Sequence, residues 1–247
     1  MSIDRGLALV TGACGAIGKA CCERLLAEGY RVLATDMQPG SSLPAQVSFR
    51  GLDVTDEQAV ARLVEEGEAR YGQITALVNV AGVVSRGRAI DLPVAEVERV
   101  WRINVLGTLI VCQQVGQRMA ARGRGAIVNI GSVVGKNAGN ARPWLDPSEL
   151  ERAGNVAYGM SKSAIHTLTG FLAKELASQG VRVNAVAPGP IATQMTDSFP
   201  ESLRALVPAG RMGTPEEVAH AVHFLLDERS GFISGEIIDV NGALWCD

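Results

Sequence analysis

A chain of 247 residues with 47% hydrophobic content is long enough for one α/β domain carrying helices on both faces of a sheet. Its formal net charge of −3 leaves no global electrostatic attraction for nucleic acid or an anionic membrane, and neither is expected as a partner. The five cysteines Cys14, Cys21, Cys22, Cys112 and Cys246 are odd in number and form no Cys-x-x-Cys pair, which suits reduced thiols in a cytoplasmic protein rather than a disulfide framework.

No basic stretch followed by an apolar one opens the chain, and no run approaches membrane-spanning length. Leu7–Val10 is an apolar run of the length of one buried strand, stopped by Thr11 and Gly12. Gly15 and Gly18 follow, then Ala20, Leu25 and Leu26 at helical spacing, with a stop at Glu28–Gly29. Strand, glycine turn and helix form a dinucleotide-binding fingerprint: glycine lets the backbone approach a pyrophosphate, and the helix N-terminus favours its charge. A strand–turn–helix corner without a ligand is the other reading of this stretch taken alone.

Arg31–Asp36 is a second strand ending in an acid that lies 18 residues past Gly18, near where a carboxylate would accept hydrogen bonds from an adenosine ribose. No cation stands nearby to neutralise a 2′-phosphate, so Asp36 points to NAD rather than NADP; taken alone, it reads better as a solvated strand end. Val47–Val54 reads as a third strand, Thr55–Gln58 as a capping box, and the helix it opens as reaching about Tyr71. Ala76–Val80 is a fourth strand. A loop to Leu92 precedes a helical stretch from Pro93 to about Ala121 that contains Asn104, and Ala126–Ile130 is a fifth strand followed by Gly131 and Ser132.

The Gly/Asn/Pro-rich stretch 135–156 breaks the rhythm and reads as an inserted loop, with Pro147 to Arg152 able to form one helical turn. Tyr158–Ser178 is a helix, Val181–Val186 a sixth strand, and Pro188–Pro190 a rigid turn. Thr214-Pro215-Glu216-Glu217 starts a helix to Leu226, and Ile237–Val240 is the last strand. Alternating strands and helices without repeat or linker imply one domain, 1–247, with a Rossmann-type doubly wound parallel sheet of about seven strands and a ligand crevice at their carboxyl ends. His220 and His223 read as a surface or interface pair rather than a metal site.

Tyr158 and Lys162 are four apart on one helix and face the same way. A phenol is a poor base at neutral pH, and a neighbouring ammonium lowers its pKa. The pair therefore offers a general acid/base, and Ser132 a hydrogen bond to the oxygen of an alcohol or carbonyl.

With these motifs in order, the chain resembles the short-chain dehydrogenase/reductase family over essentially its whole length. The resemblance rests on Thr11–Gly18 (T-G-x-x-x-(G/A)-x-G), Asp53-Val54, Asn79–Gly82, Asn104, Ser132, Tyr158–Lys162 (Y-x-x-x-K) and Pro188–Thr193. It implies that Tyr158 is the acid/base, that Lys162 also binds the nicotinamide ribose, that Ser132 holds the reacting oxygen, and that Asn104 helps hold a proton-relaying water. It places Gly12, Gly15, Ala16, Ile17 and Gly18 on the pyrophosphate and Asp53 and Val54 at the adenine. Asn79, Ala81, Gly82, Pro188 and Gly189 line the cofactor, and Ile191 and Thr193 bind its carboxamide.

Three departures stand out. Ala16 replaces the usual glycine, Val80 replaces the usual second Asn, and Ser132 and Tyr158 are 26 apart, about twice the family spacing. The expected activity is hydride transfer between NAD and a small-molecule secondary alcohol or its ketone, by a homotetramer. The alternative within the class is an NADPH-dependent 3-oxoacyl-thioester reductase. Outside it stand a non-redox lyase or dehalogenase, which would have filled the dinucleotide site, and a cofactor sensor, which would have lost Ser132, Tyr158 or Lys162.

Overall fold

The computed structural model describes residues 5–39, 43–139, 148, 149, 151, 155–193 and 201–246. Among them seven strands form one parallel sheet: β1 (Leu7–Thr11), β2 (Arg31–Asp36), β3 (Ser48–Gly51), β4 (Ile74–Asn79), β5 (Gly125–Ile130), β6 (Val181–Pro188) and β7 (Ile237–Val240). Their spatial order is β3-β2-β1-β4-β5-β6-β7. The chain reverses direction across the sheet between β1 and β4, which opens a crevice at the carboxyl ends of those two strands. Because helices cover both faces, β1 is buried at every position and reads as an apolar run up to its last residue, Thr11.

The helices are α1 (Ala16–Ala27), α2 (Glu57–Tyr71), α3 (Val94–Trp101), α4 (Thr108–Arg122), α5 (Val134–Asn137), α6 (Val156–Leu176), α7 (Glu201–Arg204) and α8 (Pro215–Leu226). One core packs α1 and α8 on the sheet through Cys21, Leu25, Val218, Val222 and Leu225. The other packs α2, α4 and α6 through Val60, Val64, Val111, Val115, Met119 and Ala173.

Local signals placed most boundaries. Thr214 accepts from the Glu217 amide while the Glu217 side chain accepts from the Thr214 amide, a capping box at the helix start expected there. At α2 the cap is Asp56, which accepts from Ala59 N at 2.9 Å, rather than Thr55. The third strand stops at Gly51, short of the expected Val54, because β3 is an edge strand and its last link to β2 is Leu52 N to Asp36 O at 2.9 Å.

The helical stretch around Asn104 is interrupted. Between α3 and α4 the backbone widens into a π-helical segment, Arg102–Gly107. Within the inserted stretch, Ser148, Glu149 and Glu151 are helical, as expected, and Glu149 is buried and accepts from Ser202 of α7 at 2.9 Å. Trp144, Pro147 and Arg152 lie outside the described residues.

Candidate active site

The crevice is floored by the glycine turn. Gly12 has φ +62°, and a Cβ there would meet Ala81 N at 2.6 Å, so the β1 and β4 loops touch backbone to backbone. A Cβ on Gly18 would overlap Gly12 O and come within 2.7 Å of Ala13 Cα. Thr11 Oγ1 accepts from the amides of Val80 and Ala81 at 3.2 and 3.3 Å, which fixes the loop carrying Ala81 and Gly82.

Gly15 differs from these two. Its Cβ direction meets only Gly12 O, at an unstrained 3.5 Å. Gly15 is also the N-cap of α1, without a side-chain hydrogen bond, so the amides of Ala16, Ile17 and Gly18 open toward an exposed turn. A cradle with bare backbone and an uncapped helix N-terminus fits a pyrophosphate. Asp36 stands beside it, accepting from Cys14 N and Gln38 N, each at 3.0 Å. An ionised carboxylate has about four acceptor positions, so these two bonds orient it and leave room for a ribose.

The residues further along the crevice take different positions. Asp53 is exposed and accepts from Thr55 N at 2.9 Å. Val54 is buried against the π-helical segment, where a Cβ on Gly107 would come within 2.6 Å of it. Asn79 turns its side chain into the layer of α4 and α6, donating to Asn129 Oδ1 at 3.0 Å and Cys112 Sγ at 3.2 Å; Asn129 in turn donates to Thr169 Oγ1 at 3.0 Å. Pro188 ends β6, Gly189 packs so closely that a Cβ would meet Asn241 Cβ at 2.7 Å, Ile191 is buried beside Gly213, and Thr193 is half-buried.

Four side chains gather at the end of β5, two of them, Asn104 and Lys162, beneath Gly82. Asn104, in the π-helical segment, accepts from Val83 N at 2.8 Å and donates to Val83 O and Ser161 Oγ, each at 2.9 Å. A Cβ on Gly82 would lie 3.2 Å from Asn104 Oδ1 and 3.7 Å from Lys162 Nζ. Lys162 is buried, donates to Ile130 O at 2.7 Å, and sits 5.4 Å from the centroid of the Tyr158 ring. The Ser132 hydroxyl stands near enough to the Tyr158 phenol to favour its ionised form, while Ser132 Oγ itself donates to Pro188 O at 3.5 Å and accepts from Val134 N at 3.4 Å. The turn at Ser132 is held on β6, with Val133 N on Pro188 O at 3.0 Å. The N-terminus of α6 is held from outside, with Tyr158 N donating to the buried Ser85 Oγ at 3.2 Å.

Burial dominates the titration of this cluster. It raises the Tyr158 phenol above its ordinary value, opposed by the nearby Ser132 hydroxyl, and it lowers the Lys162 ammonium from 10.5 to about 8. The sequence-based expectation that the neighbouring Lys162 ammonium lowers the phenol pKa is therefore corrected for the protein by itself, where burial acts the other way. Desolvation by the folded pocket acts on both charged forms, and the spacing of two residues on a helix does not report it.

The histidines divide. His220 is exposed and contacts Arg24 at 3.0 Å, whereas His223 is buried, contrary to expectation, with burial lowering its pKa. Among the described residues no group of three or more His, Cys, Asp or Glu side chains is placed to hold a metal ion, and no helix is long and apolar enough to cross a membrane. A residue not singled out from sequence, His166, accepts from Ser132 N at 3.4 Å. Its signal is its spacing, four residues after Lys162.

The family described as enoyl-(acyl carrier protein) reductase matches residues 12–244. A 3-oxoacyl-(acyl-carrier-protein) reductase of Thermotoga maritima is 35% identical over 99% of both chains. A (3R)-3-hydroxyacyl-CoA dehydrogenase of Mus musculus is 36% identical over 99% of this chain and 98% of its own. Among solved structures, the crystal structure of gox2181 superposes with a TM-score of 0.88 at 30% identity, covering 98% of this chain and 96% of that one. The parallel sheet, the glycine turn and these full-length similarities together make the chain a member of the short-chain dehydrogenase/reductase family of oxidoreductases.

Proposed function

We propose that this oxidoreductase interconverts a secondary alcohol and its ketone with NAD(H), using Tyr158 as general acid/base. The observation that carries the reading is the grouping of Ser132, Tyr158 and Lys162 at the end of β5, with Lys162 Nζ beneath Gly82. A bound nicotinamide supplies the hydride acceptor in oxidation and the donor in reduction. Tyr158 takes the hydroxyl proton in oxidation and returns it in reduction. Ser132 Oγ donates to the reacting oxygen. Lys162 spends one of its N–H groups on Ile130 O and has two left for a ribose or a water. Asn104, held on both polar groups of Val83, keeps the segment beneath that water in place.

NAD is preferred over NADP in this proposal because Asp36 presents a carboxylate, already fixed by two amides, where a 2′-phosphate would lie. The test is a titration of both cofactors by protein fluorescence. NAD binding at least about tenfold tighter, roughly 1.4 kcal/mol, supports the assignment, and equal affinity or a preference for NADP overturns it.

A second reading of the substrate is favoured by the names of the two relatives: a 3-oxoacyl or 3-hydroxyacyl thioester, which presents the same ketone or secondary alcohol to Tyr158. A screen of simple secondary alcohols against 3-hydroxybutanoyl-CoA, each with NAD and NADP, separates the two. The inserted stretch is proposed to wall the substrate side, supported by the Ser202–Glu149 bond that ties it to α7.

A homotetramer of cytoplasmic location remains part of the proposal. Exposed Trp101, Leu106 and Phe171 on the α3–α6 side and Phe224, Phe232 and Trp245 on the α8–β7 side offer two apolar patches for two-fold pairing. Light scattering at micromolar concentration tests the assembly, and a monomer refutes it.

A further inference from the structure

Tyr158, Lys162 and His166 recur at intervals of four along α6, so one helix face carries all three. Each meets the segment at the end of β5 in a different way. The Tyr158 hydroxyl meets the Ser132 side chain, Lys162 Nζ donates to Ile130 O at 2.7 Å, and His166 Nε2 accepts from Ser132 N at 3.4 Å. The two flanking amides are bound to β6 instead, Gly131 N to Val186 O at 2.8 Å and Val133 N to Pro188 O at 3.0 Å. The Ser132 amide faces the other way, and the imidazole supplies its acceptor.

The surroundings are shaped for that ring. A Cβ on Gly131 would collide with His166 Nε2, and a Cβ on Gly135 would lie 2.9 Å from His166 Cε1 and 2.8 Å from Ser163 N. Two glycines thus clear the space in which the imidazole reaches the backbone. Accepting at Nε2 requires the neutral ring with its proton on Nδ1.

We propose that His166 is a positioning residue that holds Ser132 through its backbone amide, so that the Ser132 hydroxyl points at the same oxygen as Tyr158. The inference rests on the role given to Ser132 under the proposed function. Lys162 and His166 clamp the backbone on either side of Gly131, and small displacements of a group that orients a reacting atom are costly in rate.

The test uses the intact enzyme and four variants: His166→Leu, which removes the acceptor; His166→Gln, whose Oε1 reaches toward the position of Nε2; Ser132→Ala; and the double variant Ser132→Ala/His166→Leu. Reduction of acetoacetyl-CoA by NADH is followed together with the thermal midpoint, cofactor affinity, and amide exchange of residues 131–135 read by mass spectrometry. His166→Leu is expected to lower kcat by about tenfold to a hundredfold with cofactor affinity kept, and to speed exchange of that segment. His166→Gln is expected to restore most of both, and His166→Leu is expected to add little to Ser132→Ala.

Unchanged exchange in His166→Leu overturns the proposal whether or not acetoacetyl-CoA is turned over. So does a failure of His166→Gln to improve on His166→Leu. If Ser132→Ala keeps full turnover, the role of Ser132 itself falls and this inference with it. If Ser132→Ala is inactive while His166→Leu keeps the parent's turnover, only the inference falls.

Discussion

Asn104 Nδ2 donates to Ser161 Oγ at 2.9 Å although the two residues are 57 positions apart, and Ser161 Oγ passes the connection to Tyr158 O at 2.7 Å. The π-helical segment is thereby tied to the first turns of the helix that carries Tyr158 and Lys162. A π-helical insertion in an otherwise α-helical run is a frequent companion of functional sites. Here it places a buried amide on Val83, next to Gly82 and Lys162. Asn104→Ala removes partners from Val83 N, Val83 O and Ser161 together. The expected outcome is loss of turnover together with a stability loss of about 1–3 kcal/mol from stranded polar groups. Ser161→Ala removes only the far end and is expected to cost less in both measurements. Urea unfolding and steady-state kinetics on the two variants check the ranking.

Tyr158→Phe keeps the ring and removes the proton carrier. Turnover is expected to fall at least about a hundredfold, the low end for general acid/base catalysis, with cofactor binding retained. Near-normal turnover would remove the central residue of the proposed mechanism.

The pH dependence follows from burial. Lys162 is brought down from 10.5 to about 8, so its ammonium is present below about pH 8 and is lost above it. Tyr158 is raised, so it stays protonated through that range. In the reduction direction kcat/KM is therefore expected to be level below about pH 8 and to fall as pH rises through it. A profile measured between roughly pH 6 and 10 that stays flat would contradict this assignment of Lys162.

Two glycines of the same turn separate folding from binding. Gly18→Ala drives a methyl group into Gly12 O and Ala13, and its thermal midpoint is expected to drop along with cofactor affinity. At Gly15 φ is −71° and the Cβ direction is open, so Gly15→Ala is expected to keep its thermal midpoint and lose cofactor affinity. Calorimetry and fluorescence titration distinguish the two. A Gly15→Ala variant that binds NAD as tightly as the parent would take this glycine out of the cradle.

The local chemistry of the chain determined a good deal. β1 and α1 are legible because a fully buried parallel strand is built mainly of apolar residues and because the turn after it needs glycine. The capping box at Thr214 is legible because its hydrogen bonds join residues three apart. Tyr158 and Lys162 are legible as a pair because helical spacing alone puts them on one face.

What the sequence left open depends on groups brought together from distant parts of the chain. Asp56 rather than Thr55 caps α2, since the path of the preceding turn decides which side chain reaches the free amides. Asn104 lies in a helical period, but its widened turn answers to Val83 and Ser161, which no local pattern names. His166 meets Ser132 only because β5 ends under α6 with glycines at 131 and 135. The pKa values of Tyr158 and Lys162 move in the directions set by desolvation, and desolvation exists only once helices and sheet have closed around them.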